Sequence, residues 1–261
     1  MQVYADNAAT TKWSDPALQA MLPYLQDTYG NASSLYRIGQ TAHHGVQSAR
    51  ETVAKVLNAE TNEIYVTAGG SEADNWVIKG IAEWMAKKGK KHIISTAFEH
   101  HAVLHTAQQL EKEGFEVTYL NVDEFGVVDL EELKRSIKKE TILISVMFAN
   151  NEIGTIQPIA QIGAVARRYN ILFHTDAVQA YGQIPFDVEQ LQIDLLTASG
   201  HKFRGPKGTG FLYVRENVKL QSLIHGGAQE RGLRAGTENV PGIVGLATAA
   251  YIADATMEQR I

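Results

Sequence analysis

The 261-residue sequence contains no cysteine. This absence excludes disulfide bonds, thiolate metal sites and a cysteine nucleophile on this chain. No stretch approaches the roughly 20 apolar residues that span a membrane, and the first residues have neither the basic start nor the apolar run of a signal peptide. We therefore expect a cytoplasmic protein without a membrane partner.

A large charge of either sign is also missing. The 24 basic and 29 acidic side chains leave a net charge of −5, which gives no basic patch for nucleic acid. With only 6 prolines and 22 glycines, the sequence has no low-complexity segment and no linker that divides it. We expect one continuous domain with a substantial core and no nucleic-acid partner.

Short β-branched runs alternate with helical patterns along the chain. This order predicts an α/β fold with a mainly parallel central sheet, because strands that are apolar throughout need helices on both faces. The predicted strands cover 63–67, 92–96, 116–121, 141–147, 171–175, 195–199 and 210–215. The predicted helices cover 15 to about 29, 37–57, 72–85, 101–113, 129–137, 158–169 and 242–261, with Asp15 as the cap of the first.

Polar residues that follow parallel strands converge on one crevice, where ligands bind. The first such segment is Gly69-Gly70-Ser71, between a strand and a helix. Free backbone amides, the helix dipole and the Ser71 hydroxyl suit a phosphate. The alternative, favoured on this segment alone, is a tight turn with Ser71 as the helix cap.

Histidines follow the second strand end. His101 and His105 are four residues apart on one helix face, which suits zinc, but Ala102 stands where a catalytic H-E-x-x-H motif has glutamate. We interpret both as surface histidines and predict no metal site. His100, directly at the strand end, is the histidine placed to face the crevice.

Two further strand ends carry an acid and a base. Asp176 ends an apolar strand, where an anion needs a cationic partner, although a helix-cap role is the simpler alternative. Lys202 follows the next strand, where a semi-enclosed site beside another cation lowers a lysine pKa and favours a Schiff base, although a surface loop lysine is the alternative. Together with His100 and the Gly-Gly-Ser turn, this set matches the needs of pyridoxal 5′-phosphate (PLP).

Seven ordered motifs then resemble the NifS/IscS-like cysteine desulfurases of the class V aminotransferases. The motifs are DNAATT at 6–11, YGNASS at 29–34, EHHAVL at 99–104, NNEIG at 150–154, DAVQ at 176–179, SGHK at 199–202 with GPKG at 205–208, and RAGT at 234–237. The resemblance implies a fold-type I PLP-dependent transferase large domain. It further implies a homodimer that converts L-cysteine to L-alanine and an enzyme-bound persulfide, for transfer to a sulfur acceptor or iron–sulfur scaffold protein.

The resemblance also implies roles for individual residues. Lys202 is expected to form the Schiff base and carry the proton, with His100 stacking on the ring and shuttling protons. Asp176 pairs with the pyridinium nitrogen, and Gln179 donates to the ring hydroxyl. The phosphate contacts implied are Gly70, Ser71, Ser199 and His201, with Thr237 reaching the phosphate of the neighbouring subunit. Asn151 meets the substrate carboxylate.

One departure from the family limits this expectation. The sulfur-accepting cysteine of the family lies in a C-terminal small domain, and this chain has no cysteine and stops within its last predicted helix. We expect an N-terminal segment at 1–15, a PLP-binding large domain at 16–245, and a helix start at 246–261 that leads into a largely missing small domain. We expect this chain alone to be inactive by the persulfide route. Ser71 replaces a threonine that the family often has, and Tyr36 a usual histidine.

Alternative functions stay open at this level. A selenocysteine lyase or an aminotransferase of the same fold would use the same His100 and Gln179. An inactive dimerising or scaffold fragment fits the missing nucleophile, but it has no use for a Schiff-base lysine. A metal hydrolase built from the nine histidines is the weakest alternative.

Overall fold

A computed structural model describes residues 1 and 3–260. Its centre is one seven-stranded sheet in the order β1-β7-β6-β5-β4-β2-β3. The strands are β1 (Ile64–Thr67), β2 (His92–Thr96), β3 (Glu116–Leu120), β4 (Thr141–Ser145), β5 (Leu172–Asp176), β6 (Leu195–Ser199) and β7 (Gly210–Val214). Five strands, from β6 to β3, pair in parallel, and β7 runs antiparallel to both of its neighbours. The predicted α/β class and mainly parallel sheet are confirmed.

Seven α-helices surround the sheet in the described part of the chain. They are α1 (Asp15–Gln26), α2 (Arg37–Leu57), α3 (Gly70–Ala86), α4 (His101–Lys112), α5 (Leu130–Ser136), α6 (Ile159–Tyr169) and α7 (Val240–Ala255). None of these helices is long and apolar enough to cross a membrane.

Several helix ends differ from the prediction: α1 ends at Gln26 and not near 29, and α3 begins at Gly70 and not at 72. Ser14, not Asp15, caps α1, because its hydroxyl accepts the amide of Ala17 at 3.3 Å. The predicted last helix was too long: α7 ends at Ala255, where the Arg260 side chain donates to the Ala253 carbonyl and so acts as the missing cap. Ile261 lies outside the described residues.

Neighbouring strand residues point to opposite faces of the sheet and fill two separate cores. Ile94, Phe173 and Leu196 pack in the core shared with α2, α6 and α7, whereas Ile93 and Leu195 pack in the core shared with α3 and α4. Both faces are therefore covered. The expected boundary between 245 and 246 falls inside α7, and the division at that point stays a prediction.

This topology brings several strand ends to one edge of the sheet. The carboxyl ends of β2, β5 and β6 lie there because these strands are parallel. Gly210, at the start of the antiparallel β7, pairs with both Thr67 and Ser199, so β1 also ends at this edge. A side chain at Gly210 would meet the Ala198 carbonyl oxygen at 2.5 Å, which explains the glycine.

Candidate active site

A cleft of about 510 Å³ opens at this edge of the sheet. All of the predicted site residues except Thr237 line it: Gly70, Ser71, His100, Asn151, Asp176, Gln179, Ser199, His201 and Lys202. Thr237 is exposed and lies outside the cleft, so its expected role toward a neighbouring subunit stays a prediction.

Asp176 is the buried acid of the cleft. It is 5% exposed at the end of β5, and its Oδ1 accepts the amide of Val178 at 2.9 Å. Burial raises the pKa of this carboxyl, whereas the Val178 amide and the charges of His100 and Lys202 lower it. The Val178 bond caps the turn that follows β5, as the simpler alternative expected, but no helix begins there, and the other carboxylate oxygen of Asp176 is left for the cleft.

Lys202 is a half-buried base and not a surface lysine. It follows β6 in a short 3₁₀ turn, and its Nζ donates to the carbonyls of Ala8 and Ala9. Burial lowers the pKa of the amine, against the opposing charges of Asp176 and Asp6. The lowered pKa and the semi-enclosed setting were both expected for Lys202. The cation expected beside it is not among the causes, and loss of solvent is the main one.

The segment between β1 and α3 forms a cradle beside the cleft. Gly69 precedes α3 with φ of 147°, a conformation that a side chain disfavours. Ser71 lies in the first turn of α3 and is not its cap, which corrects the alternative reading. A second cavity of about 560 Å³ joins Gly70, Ser71, Ser199 and His201 with Lys207. A hydroxyl, a helix N-terminus and a lysine suit a phosphate.

His100 faces the cleft from the N-terminus of α4. Its Nδ1 accepts the amide of Ala102 at 3.1 Å, which leaves the proton on Nε2. His101 and His105 stack 4.9 Å apart on the exposed face of α4, in a separate shallow cavity. Neither reaches the cleft, as predicted.

The N-terminal segment closes one side of the cleft. Asp6, Ala8 and Ala9 line it, and Gln179 Nε2 donates to the Ala8 carbonyl at 2.9 Å. The Thr11 amide bonds the His201 carbonyl at 2.9 Å, which ties the segment to the turn that carries Lys202. Sequence reasoning gave this segment no role in the site.

Two buried acids were also missed. Asp74 lines the cleft at 1% exposure, and burial followed by the charge of Asp176 raises its pKa well above the usual range. Burial raises the pKa of Glu99 to about 8. The sequence did contain features that point to both acids. Asp74 lies one helical turn after Gly70, and Glu99 directly precedes His100.

The acids of the cleft and the neighbouring cradle together suit a ligand that carries both a positive charge and a phosphate. Asp74, His100 and Asp176 place one ligand atom each within 4.8 Å of one another, and two of the three are acids. A protonated ring nitrogen would pair with the Asp176 carboxylate, and an aldehyde would meet Lys202 while a phosphate rests in the cradle. PLP is a molecule that carries all three groups.

Solved structures share this fold. A protein described as NifS-like aligns with a TM-score of 0.97 and 47% identity, covering 99% of this chain and 71% of its own. A structure of SspA in complex with cysteine aligns with a TM-score of 0.93 and 43% identity, covering 95% and 72%. The fold is that of the fold-type I PLP enzymes.

Sequence comparison narrows this class. The class-V aminotransferase model matches residues 3–260. Cysteine desulfurase IscS of Methanosarcina thermophila is 59% identical over 257 residues, which are 98% of this chain and 63% of that protein. The chain belongs to the class-V aminotransferase family, whose members depend on PLP, and its likeness to the NifS/IscS-like desulfurases is confirmed. It spans less than two thirds of the first curated relatives that it matches.

Proposed function

We propose that this chain binds PLP in the cleft and forms the cofactor-binding part of a cysteine desulfurase. The observation that carries the proposal is the convergence of Asp176 and Lys202 at the ends of β5 and β6. The names of the relatives support cysteine as the substrate, as does the cysteine complex of SspA. The reaction would convert L-cysteine to L-alanine and pass the sulfur to a thiol.

Bound PLP supplies an electrophilic carbonyl carbon and an electron-withdrawing ring. The ionised Asp176 would hold the ring nitrogen in its protonated form, and His100 would lie against the ring. Gln179 would donate to the ring hydroxyl. The phosphate would rest on Gly70, Ser71, Ser199 and His201, where the N-terminus of α3 points.

Lys202 would be the base of the reaction. Its lowered pKa increases the fraction of neutral amine at physiological pH, and only the neutral amine attacks a carbonyl or takes a proton. It would remove the proton from the substrate α carbon, while Asn151 would contact the substrate carboxylate. In the present conformation Asn151 donates to Glu152 at 2.6 Å, so it would have to exchange this bond for the substrate.

The sulfur acceptor has to lie outside these 261 residues, because they contain no cysteine. We propose a sulfur-acceptor or iron–sulfur scaffold protein as the final partner, and a cytoplasmic homodimer in which Thr237 serves the neighbouring cleft. Incubated alone with PLP and L-cysteine, this polypeptide should form no alanine by the persulfide route. Alanine release at a normal enzymatic rate from the mass-verified chain would contradict this expectation.

The first test is cofactor binding. The purified chain, mixed with PLP, should develop a visible absorbance band, and borohydride reduction followed by peptide mapping should place the adduct on Lys202. Lys202→Ala should abolish the band and the adduct. Lys219→Ala, at an exposed position, is the matched control and should keep both. If no lysine is modified, the proposal fails and the alternative of an inactive scaffold is favoured.

A second test concerns the acid. Asp176→Asn removes the anion opposite the ring nitrogen and should weaken PLP binding at least about tenfold, because a charge-assisted contact is lost in a buried site. The dissociation constant follows from titration of the absorbance band. Unchanged affinity would show that Asp176 does not face the ring. Substrate profiling of the intact protein with L-cysteine, L-selenocysteine and transamination substrates separates the desulfurase from the two related enzyme alternatives.

A further inference from the structure

Asp74 is a buried acid in the cleft to which the proposed function assigns no task. It lies on α3 one turn after Gly70, it is 1% exposed, and it lines the cleft. Its Oδ1 has no hydrogen-bond partner among the described residues. A native structure rarely keeps such an atom without a reason.

The nearest basic group does not neutralise Asp74. His174 Nε2 lies 3.6 Å from Asp74 Oδ1, but burial lowers the pKa of this histidine to about 3, so it is neutral. Its ring is instead held by the hydroxyls of Ser145 at 2.9 Å and Thr197 at 3.1 Å. Asp74 therefore faces a neutral ring.

The second acid of the pair is Asp176. Carboxylate oxygens of Asp74 and Asp176 lie within 4.8 Å of each other, and both side chains are buried, so two negative charges there would repel strongly. Asp176 receives the Val178 amide at 2.9 Å and faces the charge of Lys202. For Asp74, burial and the charges of Asp176 and Glu99 raise the pKa, and only the Thr197 hydroxyl acts in the other direction. The proton is more stable on Asp74.

We propose that Asp74 is a positioning residue that holds the one proton of this acid pair, so that Asp176 is the only anion facing the ring nitrogen of a bound cofactor. The effect of Asp74 on a bound cofactor rests on the proposed function. Protonation of Asp74, by contrast, is a property of the cofactor-free chain. Asp74 acts through Asp176 by removing a competing charge. An uncharged side chain of the same shape should therefore replace it.

The direct test is infrared spectroscopy of the cofactor-free protein labelled with ¹³C in its aspartate carboxyl groups. The label separates an aspartic acid band from that of the buried Glu99. At pH 7 the unmodified chain should show a labelled carboxylic acid band, which Asp74→Asn removes and Asp176→Asn keeps. Absence of the band from the unmodified chain, or its loss only in Asp176→Asn, would overturn the proposal. The spectrum of the unmodified chain alone can overturn the proposal, so the test remains valid even if a variant misfolds.

Cofactor affinity gives the second readout. Asp74→Asn should bind PLP within about threefold of the unmodified chain, because the amide is neutral like the acid that it replaces. Asp176→Asn is the matched variant in which binding is expected to weaken. Equal losses in both variants would mean that Asp74 is itself an anionic partner, against the proposal. Failure of the unmodified chain to bind PLP would instead reject the proposed function and leave the infrared result standing.

Discussion

At the scale of single residues, Glu99 makes the stability of the folded chain depend on pH. Its Oε1 accepts the Thr96 hydroxyl at 2.9 Å and the Met147 amide at 2.8 Å, while Oε2 is buried without a partner among the described residues. Burial raises its pKa from 4.5 to about 8. Between these values the folded chain holds a proton that the unfolded chain has released, so stability falls as pH rises through this window.

Glu99→Gln should remove this pH dependence, because glutamine imitates the protonated acid. The variant should gain stability relative to the unmodified cofactor-free chain between pH 5 and pH 8, by at most about 1.4 kcal/mol per pH unit. Urea unfolding at several pH values measures the difference. Glu124→Gln, at an exposed site, is the control and should follow the unmodified chain. Parallel curves for Glu99→Gln and the unmodified chain would mean that Glu99 is ionised in the fold.

At the scale of elements, α2 and β1 hold a strained loop. Glu230 and Arg231 both have left-handed backbones, with φ of 45° and 57°, which costs roughly 1–3 kcal/mol each. Arg50 of α2 pairs with Glu230 through two hydrogen bonds of 2.7 and 2.5 Å, and the Val66 amide of β1 donates to the same carboxylate at 2.9 Å. The loop leads to Thr237, so this clamp fixes the start of the segment proposed to serve a neighbouring cleft.

Arg50→Met should therefore destabilise the chain strongly. It leaves the Glu230 carboxylate buried without its partner, which costs about 3–5 kcal/mol. Chemical unfolding measures this loss. Lys134→Met breaks the exposed pair with Glu131 and should cost less than about 1 kcal/mol. A loss of that small size in Arg50→Met would show that the clamp does not stabilise the loop.

At the scale of the whole molecule, one loop exposes three large apolar side chains. Tyr29, Leu35 and Tyr36 are 75%, 90% and 62% exposed. Leu35 lines a cavity with Gln229 and Glu238, which flank the segment that carries Thr237. Exposed apolar groups on one surface mark interaction sites, and here they adjoin the residue proposed to act on a second copy.

Sedimentation should therefore find a dimer whose dissociation constant rises at least about tenfold in Leu35→Asp, because a charge replaces an apolar contact. Phe125→Asp, also apolar and 69% exposed but not part of the cavity that Leu35 lines, is the control and should leave the dimer intact. A monomer at all concentrations would contradict the homodimer. A dimer indifferent to Leu35→Asp would place the interface elsewhere.

Much of the fold and of the site follows from local sequence. The strands 92–96 and 195–199 and the helix 37–57 have the predicted bounds, because strand and helix periodicities are properties of neighbouring residues. Asp176, Lys202 and His100 meet as expected, since the ends of parallel strands share one edge. Local sequence pattern did not predict where α7 ends. Its last turn is capped by the side chain of Arg260, which lies beyond the helix and folds back to the Ala253 carbonyl.

Tertiary structure alone decided the electrostatics of the site. Burial, rather than a neighbouring cation, lowers the pKa of Lys202. Asp74 and Glu99 are ordinary acids in the sequence, and they become buried ones only when α3 packs on β5 and β6 and the end of β2 lies beside the end of β4. The closing of the cleft by residues 6–9 joins positions about 190 residues apart. Solvent exclusion and the distance between charges depend on contacts between remote segments, which no local pattern specifies.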